Sequence, residues 1–237
     1  MTQQRVAAPP ESPAAKRIPL WKILALPTVA LMGVLVYAAL ALAPEDADQG
    51  PAQRIFYIHV PSAWIAFLAF AVVFVASVAL LATGKRKWDD RAVASAEVGV
   101  VFTTVVMLTG PLWARPVWGV YWEWDPKLTA VFILWLIYMS YLALRSYVPD
   151  PSRRARFSAV LGIAGFLDVP IVYLAVRWWR GLHPEAVVLG KGGPQLPASM
   201  LQILLFGVFT FTLLYLVLFT LRLHVGRLRS AQEEVQA

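Results

Sequence analysis

Six long apolar runs, separated by short polar segments, dominate the pattern of hydrophobic and polar positions along the chain. The runs cover residues 20–43, 55–83, 92–112, 128–144, 157–176 and 198–221. A transmembrane helix needs about 20 mostly apolar residues, with a range of roughly 17–25, to cross the hydrocarbon core of a bilayer. The pattern therefore predicts an all-α integral membrane protein, built as a bundle of six transmembrane helices.

The two ends of the chain differ in composition from this domain of residues 20–223. Residues 1–19 are rich in proline and alanine and predict a disordered leader, whereas residues 224–237 form a polar tail. The chain is 59% hydrophobic with a mean hydropathy of +0.63, which also places it among integral membrane proteins. It contains no cysteine, and this excludes disulfides, thiolate ligation of a metal and a C-x-x-C-H site for covalent haem attachment.

Basic residues are concentrated in alternate connections between the apolar runs. Fifteen of the 21 lie in the N-terminal segment, the second-to-third connection, the fourth-to-fifth connection and the tail. Cytoplasmic loops of membrane proteins carry such an excess of Lys and Arg. The placement predicts that both termini are cytoplasmic and that the third-to-fourth connection lies outside. Topology therefore accounts for the net charge of +7, and no nucleic-acid partner is expected.

The third-to-fourth connection carries the densest group of aromatic residues. Residues 118–129 read WGVYWEWDPKLT, and with Trp113 just upstream four tryptophans fall within twelve residues. The group comprises Trp113, Trp118, Tyr121, Trp122 and Trp124, followed at once by Asp125 and Lys127. Such rings form a broad, flat, apolar surface with N–H donors, which suits a large planar ligand with acidic edges, such as a porphyrin. The alternative is an aromatic belt at the membrane interface, which accounts for one or two rings at each helix end.

Two of the three histidines are expected at the same outer end as this loop. His59 lies one turn into the second predicted helix, and His183 lies just beyond the outer end of the fifth. Imidazole is a common axial ligand of haem iron, and two imidazoles can occupy both axial positions. The pattern therefore indicates His59 and His183 as candidate iron ligands, although each alone also suits an ordinary helix-end or loop residue. His224 lies in the basic tail and is most simply a solvated residue.

Cations at the outer end suit the two propionates of a haem. They are Arg54, Arg115, Lys127, Arg177 and Arg180. A guanidinium group pairs with a carboxylate through two parallel hydrogen bonds. The alternative for any one of these residues is that it simply flanks a helix end, as basic residues often do in membrane proteins.

Two acids lie within the apolar runs. An unpaired charge at this depth is costly, so each is expected to be protonated, paired or turned towards a polar interior. Glu97 suggests a helix–helix hydrogen bond. Asp168 precedes Pro170, which lacks an N–H group and predicts a bend in the fifth helix.

The motifs together resemble a known family. The run WGVYWEWDPKLT resembles the tryptophan-rich "WWD" signature of the haem-handling proteins of cytochrome c maturation. With YIHVPSAW around His59, RWWRGLHP around His183 and six spans, the chain resembles one branch, the haem-handling protein C family, CcmC. The resemblance covers residues 21–223. Tyr121 stands where the family often has tryptophan, and Lys127 where arginine is usual, so an aromatic face and a cation are kept at these positions.

The resemblance implies a site, a cargo and partners. Haem b is expected to be bound transiently at the periplasmic face of the bacterial inner membrane, with its iron between His59 and His183. The resemblance implies that the WWD segment, here Trp118, Trp122, Trp124 and Asp125, helps to hold the porphyrin. Position at the outer end adds the candidates Arg54, Trp113, Arg115, Tyr121, Lys127, Trp178 and Trp179. The expected partners are the haem chaperone CcmE, which receives the haem, the ABC transporter subunits CcmA and CcmB, the small membrane protein CcmD, and membrane lipid. The sequence has no G-x-x-x-x-G-K-[ST] loop, so the chain is expected neither to hydrolyse ATP nor to act as an enzyme.

Two other classes of protein compete with this interpretation. A channel or secondary transporter that moves haem or a small solute needs polar residues along a path through several helices, whereas Glu97 and Asp168 are the deep polar candidates here. A membrane enzyme such as a quinone oxidoreductase with several buried haems needs more deep histidines than the chain has. The sequence therefore favours the haem-handling role.

Overall fold

The computed structural model describes residues 18–179, 181–183 and 196–236. Its α-helices are α1 (Leu20–Tyr37), α2 (Phe56–Thr83), α3 (Arg86–Trp118), α4 (Pro126–Tyr147), α5 (Pro151–Phe166), α6 (Asp168–Trp178) and α7 (Ala198–Gln236). Six helical segments are long and apolar enough to cross a membrane, with α5 and α6 together forming the fifth. The predicted all-α architecture with six spans is therefore confirmed. Residues 1–17 of the predicted leader, and Arg180, lie outside the described residues.

Helix α3 extends well beyond the apolar run that predicted it. The sequence indicated a helix over 92–112, but α3 begins at Arg86 and ends at Trp118. Its end is fixed by Gly119, which has a φ of +80° and donates its N–H to the Arg115 carbonyl at 3.0 Å. This left-handed position after a helix strongly favours glycine. Trp113 and Trp118 therefore lie on α3, and the predicted tryptophan loop is reduced to residues 119–125.

The fifth span is broken near its middle. Leu167 separates α5 from α6, and its N–H bonds to the Ala164 carbonyl at 3.2 Å. Pro170 lacks the N–H that would bond to the Phe166 carbonyl, so a continuous helix would lose one backbone hydrogen bond at this turn. The irregularity predicted from Pro170 is confirmed. Within the described part of the chain, Asp168 Oδ2 is buried without a hydrogen-bond partner.

Helix α2 lies at the centre of the bundle and packs against α3, α5 and α7. Phe70 of α2 stacks on Tyr138 of α4, with ring centroids 3.6 Å apart and planes at 10°. Both rings are fully buried. A Cβ atom at Gly99 of α3 would lie 2.5 Å from the Phe70 ring, so the close approach of α2 and α3 requires glycine at this position. This packing fixes the relative positions of the α2 and α3 ends that carry the candidate site.

Charged contacts tie the helices together at the end of the bundle that carries the basic connections. Arg145 of α4 donates two hydrogen bonds to Asp89 of α3, at 2.7 and 2.8 Å. Arg222 of α7 pairs with Glu97 of α3, with one hydrogen bond of 2.7 Å. The helix–helix contact predicted for Glu97 is therefore confirmed. The polar segment after residue 223 continues α7 as far as Gln236.

Candidate functional site

His59 lies at the start of α2, at the end of the bundle opposite these charged contacts. A short 3-10 helix, Pro51–Ile55, leads into α2 and places His59 one turn inside it. The His59 Nδ1 atom lies 2.9 Å from the hydroxyl oxygen of Thr109 on α3. The Trp113 ring meets the imidazole edge to face, with centroids 5.6 Å apart and planes at 70°. One turn of α3 therefore contacts the ring at two positions.

Trp113 is itself held by the connection between α1 and α2. Its indole N–H donates to the Gln49 side-chain oxygen at 2.8 Å. The backbone N–H of Gln49 in turn donates to the Asp46 carboxylate at 2.9 Å, within a tight turn. The Phe56 ring also meets the indole edge to face, with centroids 6.0 Å apart. These contacts restrict the orientation of Trp113 and, through it, of the His59 ring.

Asp125 connects the tryptophan segment to the segment that carries His183. It is the N-cap of α4, and its Oδ1 accepts the Leu128 N–H at 2.7 Å, with Pro126 as the first helical residue. Its Oδ2 accepts the backbone N–H of His183 at 3.4 Å. Gly181 packs so closely that a Cβ there would lie 2.7 Å from Oδ2. One carboxylate, 6% exposed, thus positions both the start of α4 and the backbone of a candidate ligand.

The His183 side chain lies between α3 and α4. Its Nδ1 atom lies 3.3 Å from the Lys127 ammonium nitrogen. The Trp118 ring meets the imidazole edge to face, with centroids 6.1 Å apart. Beside it is a small recess lined by Asp125, Pro126, Lys127, Ala175, Val176, Trp179, Gly181 and His183. The two histidine rings thus contact indoles five positions apart near the end of α3.

The indoles of the predicted platform fall into two groups. Trp113 and Trp118 contact the two histidine rings. Trp122 and Trp124 instead pack on each other and on Phe132 of α4, with centroid distances of 5.4 to 6.4 Å. Trp124 is 69% exposed. The contacts of this second group within the described ranges do not include either histidine.

The remaining predicted residues surround these groups. Arg115 lies over the exposed Tyr121 ring at 5.5 Å and also donates to the Gly119 carbonyl. Trp178 and Trp179 pack edge to face and are about half exposed.

Two further predicted cations lie elsewhere at this end. Arg177 lies over Tyr173, 5.6 Å from the ring centroid, and therefore faces an aromatic ring of its own helix. Arg54 has a buried Nε atom with no hydrogen-bond partner among the residues described.

Two residues in contact with the candidate site were not identified from the sequence. Thr109 lies four positions before Trp113, and residues at this spacing share a helix face, so the pattern of α3 did contain a signal for it. Gln49 lies in the connection before α2, 64 positions from Trp113, and nothing in the sequence indicates that contact.

The fold and the site define a multi-pass membrane protein that gathers two imidazoles, indoles and cations at one end of a helical bundle. A family model described as "Heme exporter protein C" matches residues 3–236. A "Heme exporter protein C" of Bradyrhizobium diazoefficiens is 44% identical over 195 residues, which are 82% of this chain and 74% of the relative. The chain belongs to the heme exporter protein C family.

Two more distant relatives span bacteria and plants. The "Heme exporter protein C" of Haemophilus influenzae is 33% identical over 202 residues, which cover 85% of this chain and 82% of the relative. A "Putative cytochrome c biosynthesis ccmC-like mitochondrial protein" of Arabidopsis thaliana is 31% identical over 211 residues, which cover 87% and 80%.

Proposed function

We propose that this chain binds haem at the periplasmic face of the inner membrane and delivers it to the haem chaperone CcmE for cytochrome c biogenesis. The observation that carries the proposal is the position of His59 and His183. Their rings contact Trp113 and Trp118, two indoles five residues apart at the same end of α3. Two neutral imidazoles are a common ligand set for haem iron. The same pair is less suited to a structural zinc ion, which takes four protein ligands.

The cations near the histidines suit the haem propionates. Lys127 lies against His183, and Arg54 has an unused donor among the residues described. A propionate that pairs with Lys127 would compete with His183 Nδ1 for the ammonium group. In this proposal, a propionate that binds Lys127 therefore displaces the His183 ring from the ammonium group and leaves that ring able to bind iron.

The open character of the site supports a transient carrier. The recess beside His183 is small. Trp124, Trp178 and Trp179, at the same end of the bundle, are 69%, 56% and 51% exposed. A cargo held across such a surface by two imidazoles remains accessible to an acceptor. We assign the iron to His59 and His183, and the porphyrin edges to the neighbouring indoles and cations.

The proposal includes a division of labour with partners. CcmE receives haem from this chain, and CcmA, CcmB and CcmD supply the ATP-driven and accessory parts of the complex. Glu97 is paired with Arg222, so this acid is not a free polar group along a transport path. The main competing function is movement of haem or a small solute through the bundle.

A transfer experiment separates the two functions. The full-length protein is reconstituted in sealed vesicles, loaded with haem, and mixed with the soluble domain of CcmE outside. We expect haem to move to the acceptor, measured as a shift of its absorption spectrum, with no haem in the vesicle lumen. Accumulation in the lumen without transfer would favour the transporter and contradict the proposal.

Single cysteines test the proposed orientation, because the natural chain has none. Val120 lies in the loop after α3, and the exposed Lys87 lies at the opposite end of that helix. We expect an impermeant maleimide to label the Val120→Cys variant in intact spheroplasts, and to label the Lys87→Cys variant only after lysis. The reverse pattern would place the histidine site in the cytoplasm.

A further inference from the structure

The hydroxyl of Thr109 makes two short contacts but has one proton. Its oxygen lies 2.8 Å from the Val105 carbonyl and 2.9 Å from His59 Nδ1. A carbonyl oxygen only accepts hydrogen bonds, so the contact with Val105 requires the hydroxyl proton. This bond to the carbonyl four residues earlier is a common arrangement for threonine in helices. The hydroxyl therefore offers His59 a lone pair, and the contact requires a proton on His59 Nδ1.

From these proton positions we infer that Thr109 is a positioning residue. It holds neutral His59 in its Nδ1–H tautomer and leaves the Nε2 lone pair for a metal. Among residues 18–179, 181–183 and 196–236, Thr109 is the hydrogen-bond partner of the His59 ring. Metal-binding histidines commonly donate their second ring N–H to a neighbouring acceptor, which fixes both tautomer and ring orientation. Thr109 gives His59 this arrangement.

The surrounding residues limit rotation of the ring. Gly110 lies next to Thr109, and a Cβ there would be 3.5 Å from His59 Cε1. Trp113, one turn further along α3, meets the imidazole edge to face and is fixed by Gln49. The ring thus contacts Thr109 and Trp113 on one turn of α3. The role of the Nε2 lone pair in binding haem rests on the proposed function, whereas the tautomer itself does not.

The tautomer is measurable without haem. Nitrogen NMR of protein labelled with ¹⁵N-histidine distinguishes a protonated from an unprotonated ring nitrogen, and His59→Ala identifies the resonances. For neutral His59 we expect Nδ1 to be protonated in the natural protein and in Thr109→Ser, which keeps the hydroxyl. In Thr109→Val, which has a similar volume but no hydroxyl, we expect this preference to be lost. Protonation of Nε2 in the natural protein, or an unchanged signal in Thr109→Val, would overturn the inference.

Haem titration gives a second readout. Loss of such an outer hydrogen-bond partner typically weakens metal binding by roughly 10- to 100-fold, so we expect this loss in Thr109→Val and recovery in Thr109→Ser. Thr212→Val is the matched control, because Thr212 also bonds to a carbonyl one turn earlier, at 2.7 Å, but on α7. If Thr109→Val binds haem with the natural affinity while His59→Ala binds it weakly, the role of Thr109 in haem binding is refuted. The proposed function would still stand. If the tautomers are as expected but haem binding does not depend on His59, His59 is not the iron ligand. The tautomer assignment would still stand.

Discussion

Replacing both His59 and His183 with alanine is expected to abolish stoichiometric haem binding by the purified protein. Each side chain supplies one axial imidazole in the proposed site, and the pair closes both axial positions of the iron. Loss of even an outer partner of a metal-binding histidine costs roughly 10- to 100-fold in affinity, so removal of one ligand should cost more than about 100-fold. Titration followed through the Soret absorption measures the affinity and stoichiometry of each variant.

The third histidine provides the matched control for this experiment. His224 lies on α7, near Trp21 at the opposite end of the bundle, with ring centroids 6.3 Å apart. We expect His224→Ala to bind haem like the natural protein. The ligand assignment fails if the double variant retains one haem per chain with natural affinity, or if His224→Ala shows the same loss.

Changing Asp125 to asparagine is expected to weaken haem binding by about tenfold with little effect on the folded bundle. The carboxylate uses one oxygen to cap α4 and the other to accept the His183 N–H. Asparagine has a single acceptor oxygen and caps helices as well as aspartate does, so the cap is kept and the contact with His183 is lost. A hydrogen bond typically contributes about 0.5–1.5 kcal/mol, and 1.4 kcal/mol corresponds to a tenfold change in affinity.

Asp150 is the matched control for Asp125. It also caps a helix that begins with proline, and its carboxylate accepts the Arg153 N–H at 2.7 Å at the start of α5. We expect Asp150→Asn to retain natural haem affinity, and both variants to keep melting temperatures close to that of the natural protein. Natural affinity in Asp125→Asn would show that the contact with His183 does not position this ligand.

The architecture followed from the sequence because each span is long and apolar, whereas helix ends depend on local hydrogen bonds. The apolar run ends at residue 112, and the third helix was predicted to end there. The helix in fact continues to Trp118 and ends where Gly119 adopts a left-handed conformation. An irregularity in the fifth span was predictable, because Pro170 cannot donate a backbone hydrogen bond. That it takes the form of a break was not, because α2 continues through Pro61. The Asp125–Pro126 pair likewise has the composition of a helix start.

The arrangement of the candidate site was only partly accessible from the sequence. Helix topology placed His59 and His183 at one end, since both flank outer helix ends. The sequence did not separate the two groups of indoles, because the packing of Trp122 and Trp124 on Phe132 depends on the path of a seven-residue loop. The side-chain conformations of the residues that surround the two imidazole rings also depend on tertiary packing.

This separation suggests different tasks for the two groups within the proposed function. Trp113 and Trp118 touch the candidate ligands and restrict their rings. Trp124 is largely exposed, and the buried indole N–H of Trp122 has no partner in the described part of the chain. We propose that the second group contacts the cargo or the acceptor rather than orienting the histidines.

Electron paramagnetic resonance of the ferric haem complex, prepared with ¹⁵N-histidine, tests whether both imidazoles bind one iron. The structure predicts a single low-spin species whose hyperfine couplings report two histidine nitrogens, one lost in each of the variants His59→Ala and His183→Ala. A high-spin complex, or couplings to two nitrogens that persist in either variant, would contradict the shared site.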